Sequence, residues 1–331
     1  MRMQWLPRLN RKSVNAWSAW RPHRREQENL KERTYFQKIG RVDQIWQWLQ
    51  KYHGDLIAVK APHAINPETF TFKELSDKIS CIASSLRDLG IGRHDVVALF
   101  AENSPRWLLV DQAIMRLDAC NAVRGASAPS DELRYIIQDS GATALVVQSV
   151  DVWNKLALSE RECQKLRFIL LLEGESLPGL VSWNELLERG REKVSPEINT
   201  DRSIDSAKQT TATILYTSGT TGKPKGVPLT HGNLLHQINS LACIANPKPG
   251  SPVLSVLPIW HSYERSAEYY FFSCGCTQSY TTIKYLKQDL PVVRPVVMAT
   301  VPRLWEAIQI GFEDALKSMS PNKQKILRFL L

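Results

Sequence analysis

The first 25 residues of this 331-residue chain contain no acidic side chain, although seven basic ones stand there: Arg2, Arg8, Arg11, Lys12, Arg21, Arg24 and Arg25. That asymmetry accounts for most of the apparent basicity. The chain carries 42 Lys+Arg against 33 Asp+Glu, and taking the seven from the net +9 leaves only +2 for the rest. A nucleic-acid-binding body is therefore not expected, and the tail instead suits an acidic surface such as anionic lipid or an acidic partner protein. Long apolar runs are missing too. The stretch 168–172 falls far short of the ~20 apolar residues that span a bilayer, so any membrane contact is expected to be peripheral. No apolar segment follows the tail's charges, which argues against a secretory signal. The expected compartment is the cytoplasm, or the plastid stroma if the tail is a transit peptide. Trp5, Trp17 and Trp20 among the cations suit the water–lipid boundary if the tail becomes an amphipathic helix. The competing reading, which we favour, is a solvated terminus.

Cysteine is sparse and unpaired in pattern: Cys81, Cys120, Cys163, Cys243, Cys274 and Cys276 form no disulfide framework, which fits a reducing compartment. Cys274 and Cys276 make a C-G-C, but no second Cys/His pair lies at zinc-site spacing, so both are expected to be small buried residues.

What is present is 43% apolar content, enough for a sizeable core, in segments that alternate between helical and strand-like periodicity. That alternation predicts a layered α/β fold with a largely parallel sheet. Thr71 and Glu74 read as a capping box opening a helix that Gly90 closes. A strand is expected over 95–101, a helix from Pro105 through 117, a loop over 121–129, and a short helix capped by Ser130. Buried strands follow at 144–147 and 166–172, then a helix capped by Ser182 and Glu185. The polar stretch 195–211 places a boundary near 205. The organisation expected is a basic tail (1–40), a first α/β subdomain (41–205) and a partial second one (206–331). In the second, strands are expected at 213–216, 227–230, 253–257, 277–281 and 296–301, with a helix over 232–245. Residues 324–331 read as the start of an amphipathic helix.

One stretch concentrates chemistry. Residues 216–227 read Tyr-Thr-Ser-Gly-Thr-Thr-Gly-Lys-Pro-Lys-Gly-Val, and 218–227 hold three hydroxyls, two cations and three glycines. Glycines let main-chain N–H groups converge on an anion, hydroxyls add short donors, and lysines compensate charge. It is not a Walker loop, because only two residues separate Gly219 from Gly222 and Pro224 follows Lys223 where a Ser/Thr would hold magnesium. A surface hairpin whose glycines merely turn the chain is the competing reading; the density of donors favours phosphate.

This run resembles the phosphate loop of the adenylate-forming (AMP-binding) superfamily over nearly all twelve positions. The resemblance implies that Thr217, Ser218, Gly219, Thr220, Thr221, Gly222, Lys223 and Lys225 embrace ATP phosphates, with Lys225 stabilising the departing pyrophosphate. Each such charge-assisted contact is worth about 2–4 kcal/mol in a transition state. A second block, Leu-Pro-Ile-Trp-His-Ser-Tyr-Glu-Arg at 257–265, resembles the segment that sets a histidine, here His261, near the acyl pocket and the reacting phosphate, in an electrostatic or orienting role. Glu264 and Arg265 are read as a structural ion pair. Asn-Ala-Val-Arg-Gly at 121–125, residues 280–286 and Val-Pro-Arg-Leu at 301–304 are similar to the long-chain fatty acid branch, most of all to the acyl-carrier-protein synthetases of cyanobacteria and plastids.

The likeness spans roughly 41–315. It implies the layered parallel-sheet subdomains of the superfamily's N-terminal domain, incomplete at the C-terminus. It also implies ATP and Mg2+ as cofactors, a long-chain fatty acid activated as acyl-adenylate, and transfer to the thiol of acyl carrier protein or CoA. No Tyr-Gly-x-Thr-Glu or Tyr-x-Thr-Gly-Asp run occurs, so the acidic magnesium ligand and the mobile C-terminal domain are not in this sequence. The chain is accordingly read as an N-terminal fragment, weakly active or inactive alone. A non-catalytic ATP- or acyl-binding module, or a gene relic, is the alternative.

Overall fold

The computed structural model describes residues 28, 30, 33–65, 67–192, 203–217, 223–317, 319 and 324; the tail of 1–25 and nearly all of 324–331 lie outside them. Eleven strands form among these residues: β1 Ile57–Ala61, β2 Glu68–Thr71, β3 Val96–Phe100, β4 Cys120–Arg124, β5 Ala144–Val147, β6 Ile169–Leu171, β7 Val181–Ser182, β8 Thr211–Thr217, β9 Lys225–Thr230, β10 Pro252–Ser255 and β11 Thr277–Tyr280. Seven make one sheet in the order β7-β6-β5-β3-β4-β8-β9, and four make a second in the order β10-β11-β1-β2. The first sheet is parallel except for the β8/β9 hairpin, and the second is parallel except for β1/β2.

The period-2 alternation of strands explains how helices cover both faces of the larger sheet. Val97, Leu99, Val123, Val146 and Leu170 enter the core beneath the helices Phe72–Asp88 and Pro105–Arg116, whereas Ala98, Phe100, Leu145, Val147 and Leu171 face Leu133, Ile136 and Leu156 on the other side. Helix starts follow the expected chemistry. Thr71 accepts from the Glu74 N–H while the Glu74 carboxylate accepts from the Thr71 N–H, Ser104 caps the helix whose first residue is Pro105, and Ser182 accepts from the Glu185 N–H.

Three expectations are corrected. Residues 121–129 are expected as a loop, yet Cys120–Arg124 is a buried central strand in which the Asn121 amide finds internal partners. Ser130 does not cap its helix; it is the first helical residue, and its hydroxyl donates to the Lys155 carbonyl instead. Residues 296–301 make one parallel bridge, Val253 to Val297, and no strand, in a segment that prolines bound on both sides.

Both sheets draw strands from either side of residue 205: β8 and β9 extend the sheet of β3–β7, and β10 and β11 pair with β1. In the larger sheet, β4 and β5 lie on opposite sides of β3. Strand order reverses there, which opens a crevice beyond the carboxyl ends of the strands, the usual place for ligands in such sheets.

Candidate functional site

The donor-rich loop joins the one antiparallel pair of the larger sheet. Register pairs Leu215 with Val227, Tyr216 with Gly226 and Thr217 with Lys225, so Thr217 and Lys225 face each other at the neck of the loop, both exposed. Of the residues assigned to phosphate, Ser218, Gly219, Thr220, Thr221 and Gly222 lie outside the described residues. The Lys223 ammonium stands 5.9 Å from the Tyr135 ring centroid, a cation–π distance. Asp139 anchors the neck from below, accepting from Tyr216 Oη at 2.8 Å and from Tyr135 Oη at 3.0 Å. Burial, together with that bond to Asp139, drives the Tyr216 pKa upward. Gly226 is closely packed: a Cβ there would lie 3.1 Å from the Tyr216 ring and from Ile214.

His261 stands at the N-cap of the helix Ser262–Ser273, after the six-residue link from β10. Its N–H donates to the Pro258 carbonyl at 3.1 Å, and its own carbonyl accepts from the Arg265 N–H at 3.2 Å. The imidazole is exposed. Partial desolvation, with the Arg124 guanidinium adding to it, lowers its pKa. Trp260 is buried flat against Gly125, where a Cβ would come within 2.5 Å of the indole. Register sets Val123 of β4 beside Leu215 of β8. Gly125 directly follows β4, and Thr217 ends its parallel neighbour β8, so the Trp260–His261 turn rests at the carboxyl end of the strand beside the hairpin.

Beyond His261 runs a groove of about 440 Å³ lined by Tyr263, Ser266, Ala267, Tyr270 and Phe271 of that helix, Leu241 and Ile244 opposite, and Val297–Ala299. Its volume and mainly apolar lining fall within the range of small-molecule sites.

The Glu264–Arg265 ion pair is not formed. Adjacent helix positions point to different faces. Arg265 turns into the core, where it is fully buried and pairs with Asp111, donates to Thr213 Oγ1 at 2.7 Å and to Tyr269 Oη at 2.8 Å, and lies 5.1 Å from the Trp107 ring centroid. Asn121 and Gln112 each donate to Asp111 at 2.7 Å. Glu264 is also buried, but accepts only from Ser255 Oγ, at 2.6 Å. Its second oxygen has no partner, as is true of one oxygen of Glu268 one turn on. Desolvation pushes the Glu264 pKa up to about 8, and burial, then the charge of Glu264, raises that of Glu268 well above its ordinary value. Glu264 is therefore mainly protonated at pH 7, and Glu268 is shifted in the same direction.

Sequence reading passed over Asn103 and Ser255. Asn103 donates to the Leu257 carbonyl at 2.7 Å and accepts from the Ile259 N–H at 3.0 Å. Its place immediately before a capped helix was the available signal. Among the described residues no group of three or more His, Cys, Asp or Glu is arranged to hold a metal ion, so none of them is assigned to magnesium. Cys274 and Cys276 are buried and free.

Comparison with known proteins agrees with this geometry. Of curated relatives, a chloroplastic long-chain-fatty-acid–[acyl-carrier-protein] ligase of Arabidopsis thaliana is 39% identical over 299 residues, covering 86% of this chain and 41% of the relative. The peroxisomal long chain acyl-CoA synthetase 7 of the same plant is 31% identical over 276 residues, covering 77% and 37%. The chain thus spans about two fifths of the length of these relatives. Among solved structures, a long-chain-fatty-acid-CoA ligase from Archaeoglobus fulgidus superposes with a TM-score of 0.71 at 22% identity over 85% of this chain and 55% of that one, which speaks to the fold. The family described as AMP-binding enzyme matches residues 45–331, a span holding the donor-rich hairpin, the His261 turn and the sheets that set them side by side, and the chain belongs to that family.

Proposed function

We propose that this chain carries the phosphate-gripping and acyl-receiving part of an ATP-dependent ligase that activates a long-chain fatty acid as its adenylate for transfer to the thiol of acyl carrier protein or CoA. The observation that carries the reading is the hairpin neck, where Thr217 and Lys225 stand opposite each other at the base of a loop rich in hydroxyl and glycine donors. Those donors suit a polyphosphate. A free carboxylate is a poor acyl donor because its leaving group would be oxide; activation by ATP replaces that with AMP, and the barrier is then chiefly one of charge. Lys225 would neutralise charge on the departing pyrophosphate and the hydroxyls would orient it, while the low pKa of His261 keeps an uncharged imidazole at the turn to orient the acyl carboxylate. Magnesium, when bound, would add further neutralisation. The apolar groove beginning at the residue after His261 supports a long apolar tail as substrate.

The name of the chloroplastic relative and a tail without acids support a plastid stroma placement. No helix among the described residues is long and apolar enough to cross a membrane.

Titration of this chain with ATP tests the grip. Lys225→Ala and Thr217→Val are each expected to weaken binding about tenfold or more, as loss of a charge-assisted contact does. Unfolding should barely change, because both side chains are exposed. Equal affinity in parent and both variants would refute the assignment. Fatty-acid-dependent ATP/pyrophosphate exchange, measured on this chain beside a version extended to the relatives' length, tests the reaction; ATP binding without exchange in the extended version supports a non-catalytic module.

A further inference from the structure

We propose that Asn103 is the positioning residue of the His261 turn, a clasp by which the larger sheet fixes a segment that belongs to the smaller one. Between the end of β10 at Ser255 and the helix start at Ser262, the chain runs for six residues without secondary structure. Such a link needs partners from elsewhere to hold one shape. Asn103 supplies them from the loop after β3, the strand at which the order of the larger sheet reverses. Its carboxamide offers a donor and an acceptor in one plane, as a peptide group does. Nδ2 donates to the Leu257 carbonyl at 2.7 Å and Oδ1 accepts from the Ile259 N–H at 3.0 Å, so one side chain imitates a rung of a β-ladder.

The clasp has a firm base and a second point of hold. The next residue, Ser104, accepts from the Trp107 N–H at 3.1 Å, and Pro105 begins the helix, which leaves the Asn103 backbone little freedom. On the far side of the link, Ser255 Oγ donates to Glu264 at 2.6 Å, tying the start of the segment to the helix that His261 caps. Trp260 is held against Gly125 at the end of β4, and Ile259 is buried in the core beside it. Adjacent strand ends, β3 and β4, thus grip the link just before His261. A change at Asn103 alters no group that faces the solvent at His261, only where that group is held. That the turn serves acyl activation rests on the function proposed above, whereas the clasp is testable without nucleotide or fatty acid.

The experiment is a 13C-histidine NMR titration of the whole chain, with His261 identified through H261Q, beside amide exchange over 257–261. Asn103→Ala is expected to move the His261 titration upward toward the ordinary imidazole range and to speed exchange across 257–261 by about tenfold, the effect of losing two neutral hydrogen bonds. Thr71→Ala, which removes the cap of a helix away from the link, should leave the His261 titration where it was. Should Asn103→Ala fail to fold, Asn103→Asp keeps the acceptor for Ile259 and loses the donor to Leu257, and a shift in the same direction is expected. An unchanged His261 titration with unchanged exchange in the folded variant overturns the proposal, and so does a Thr71→Ala shift equal to that of Asn103→Ala.

Discussion

Arg265 carries its charge at a position with no solvent contact, and it is affordable there only because Asp111 lies against it and Thr213, Asn121 and Tyr269 occupy its remaining donors. Such a pair adds little net stability over apolar residues of the same shape, but removal of one member strands the other. Asp111→Ala is therefore expected to cost about 3–5 kcal/mol in urea unfolding, and Asp111→Leu combined with Arg265→Met to cost markedly less than Asp111→Ala alone. A single substitution within 1 kcal/mol of the parent would show that the pair is not charged in the fold. None of this was legible in the sequence, where Glu264 is the neighbour and Asp111 lies 154 positions away. Adjacency suggests partners on a list of letters, and helix geometry separates them.

The helix Ser262–Ser273 shows the same lesson at the scale of an element, for its inner face carries Glu264 and Glu268 where apolar residues would be expected. Folding raises the Glu264 pKa from 4.5 to about 8. The native state thus holds a proton that the unfolded chain releases above its own pKa, so stability from this group is complete below pH 4.5 and is lost as pH rises through 8. Between pH 7 and 9 the loss amounts to about 1.4 kcal/mol, and Glu268 acts in the same direction. Unfolding free energies at pH 7 and pH 9 should converge in Glu264→Gln relative to the parent; an identical pH slope in both proteins would place the proton elsewhere. Elements with a strong local signature were readable in advance: the capping box at Thr71, the strands Val96–Phe100 and Ala144–Val147, the hairpin arms on either side of the donor loop. The helix at Pro105 was equally plain. Strand β4 was not, because its Asn121 is satisfied by Asp111, Thr213 and Arg265, partners brought by the tertiary fold. The stretch 296–301 has the composition of a strand but makes a single bridge, Val253 to Val297. Lys225 and Thr217 needed no structure to be noticed; Asn103 did, because its function lies in a backbone it meets only after two sheets have come together.

At the scale of the whole molecule, the sheets argue against reading the chain as consecutive units divided at residue 205. β4 finds its parallel neighbour in β8, and β1 in β11, so each half lacks a partner for a strand that is mostly buried in the intact chain. Residues 41–205 expressed alone would expose the edge of β4, an apolar parallel strand with its N–H and C=O groups unpaired, which invites edge-to-edge aggregation. Residues 206–331 alone would hold β8/β9 as an isolated hairpin, marginal in water, and β10/β11 without β1, the strand that pairs with β11. Neither half is expected to unfold cooperatively, whereas the two expressed together should recover a single transition, because the long-range pairings are made between halves rather than within them. Circular dichroism and thermal melts of each half and of the pair decide this. A sharp, independent transition in either half would mean that the covalent order of the chain, and not the interleaving of its sheets, defines the folding unit, and with it the surface on which the hairpin neck and the His261 turn are brought together.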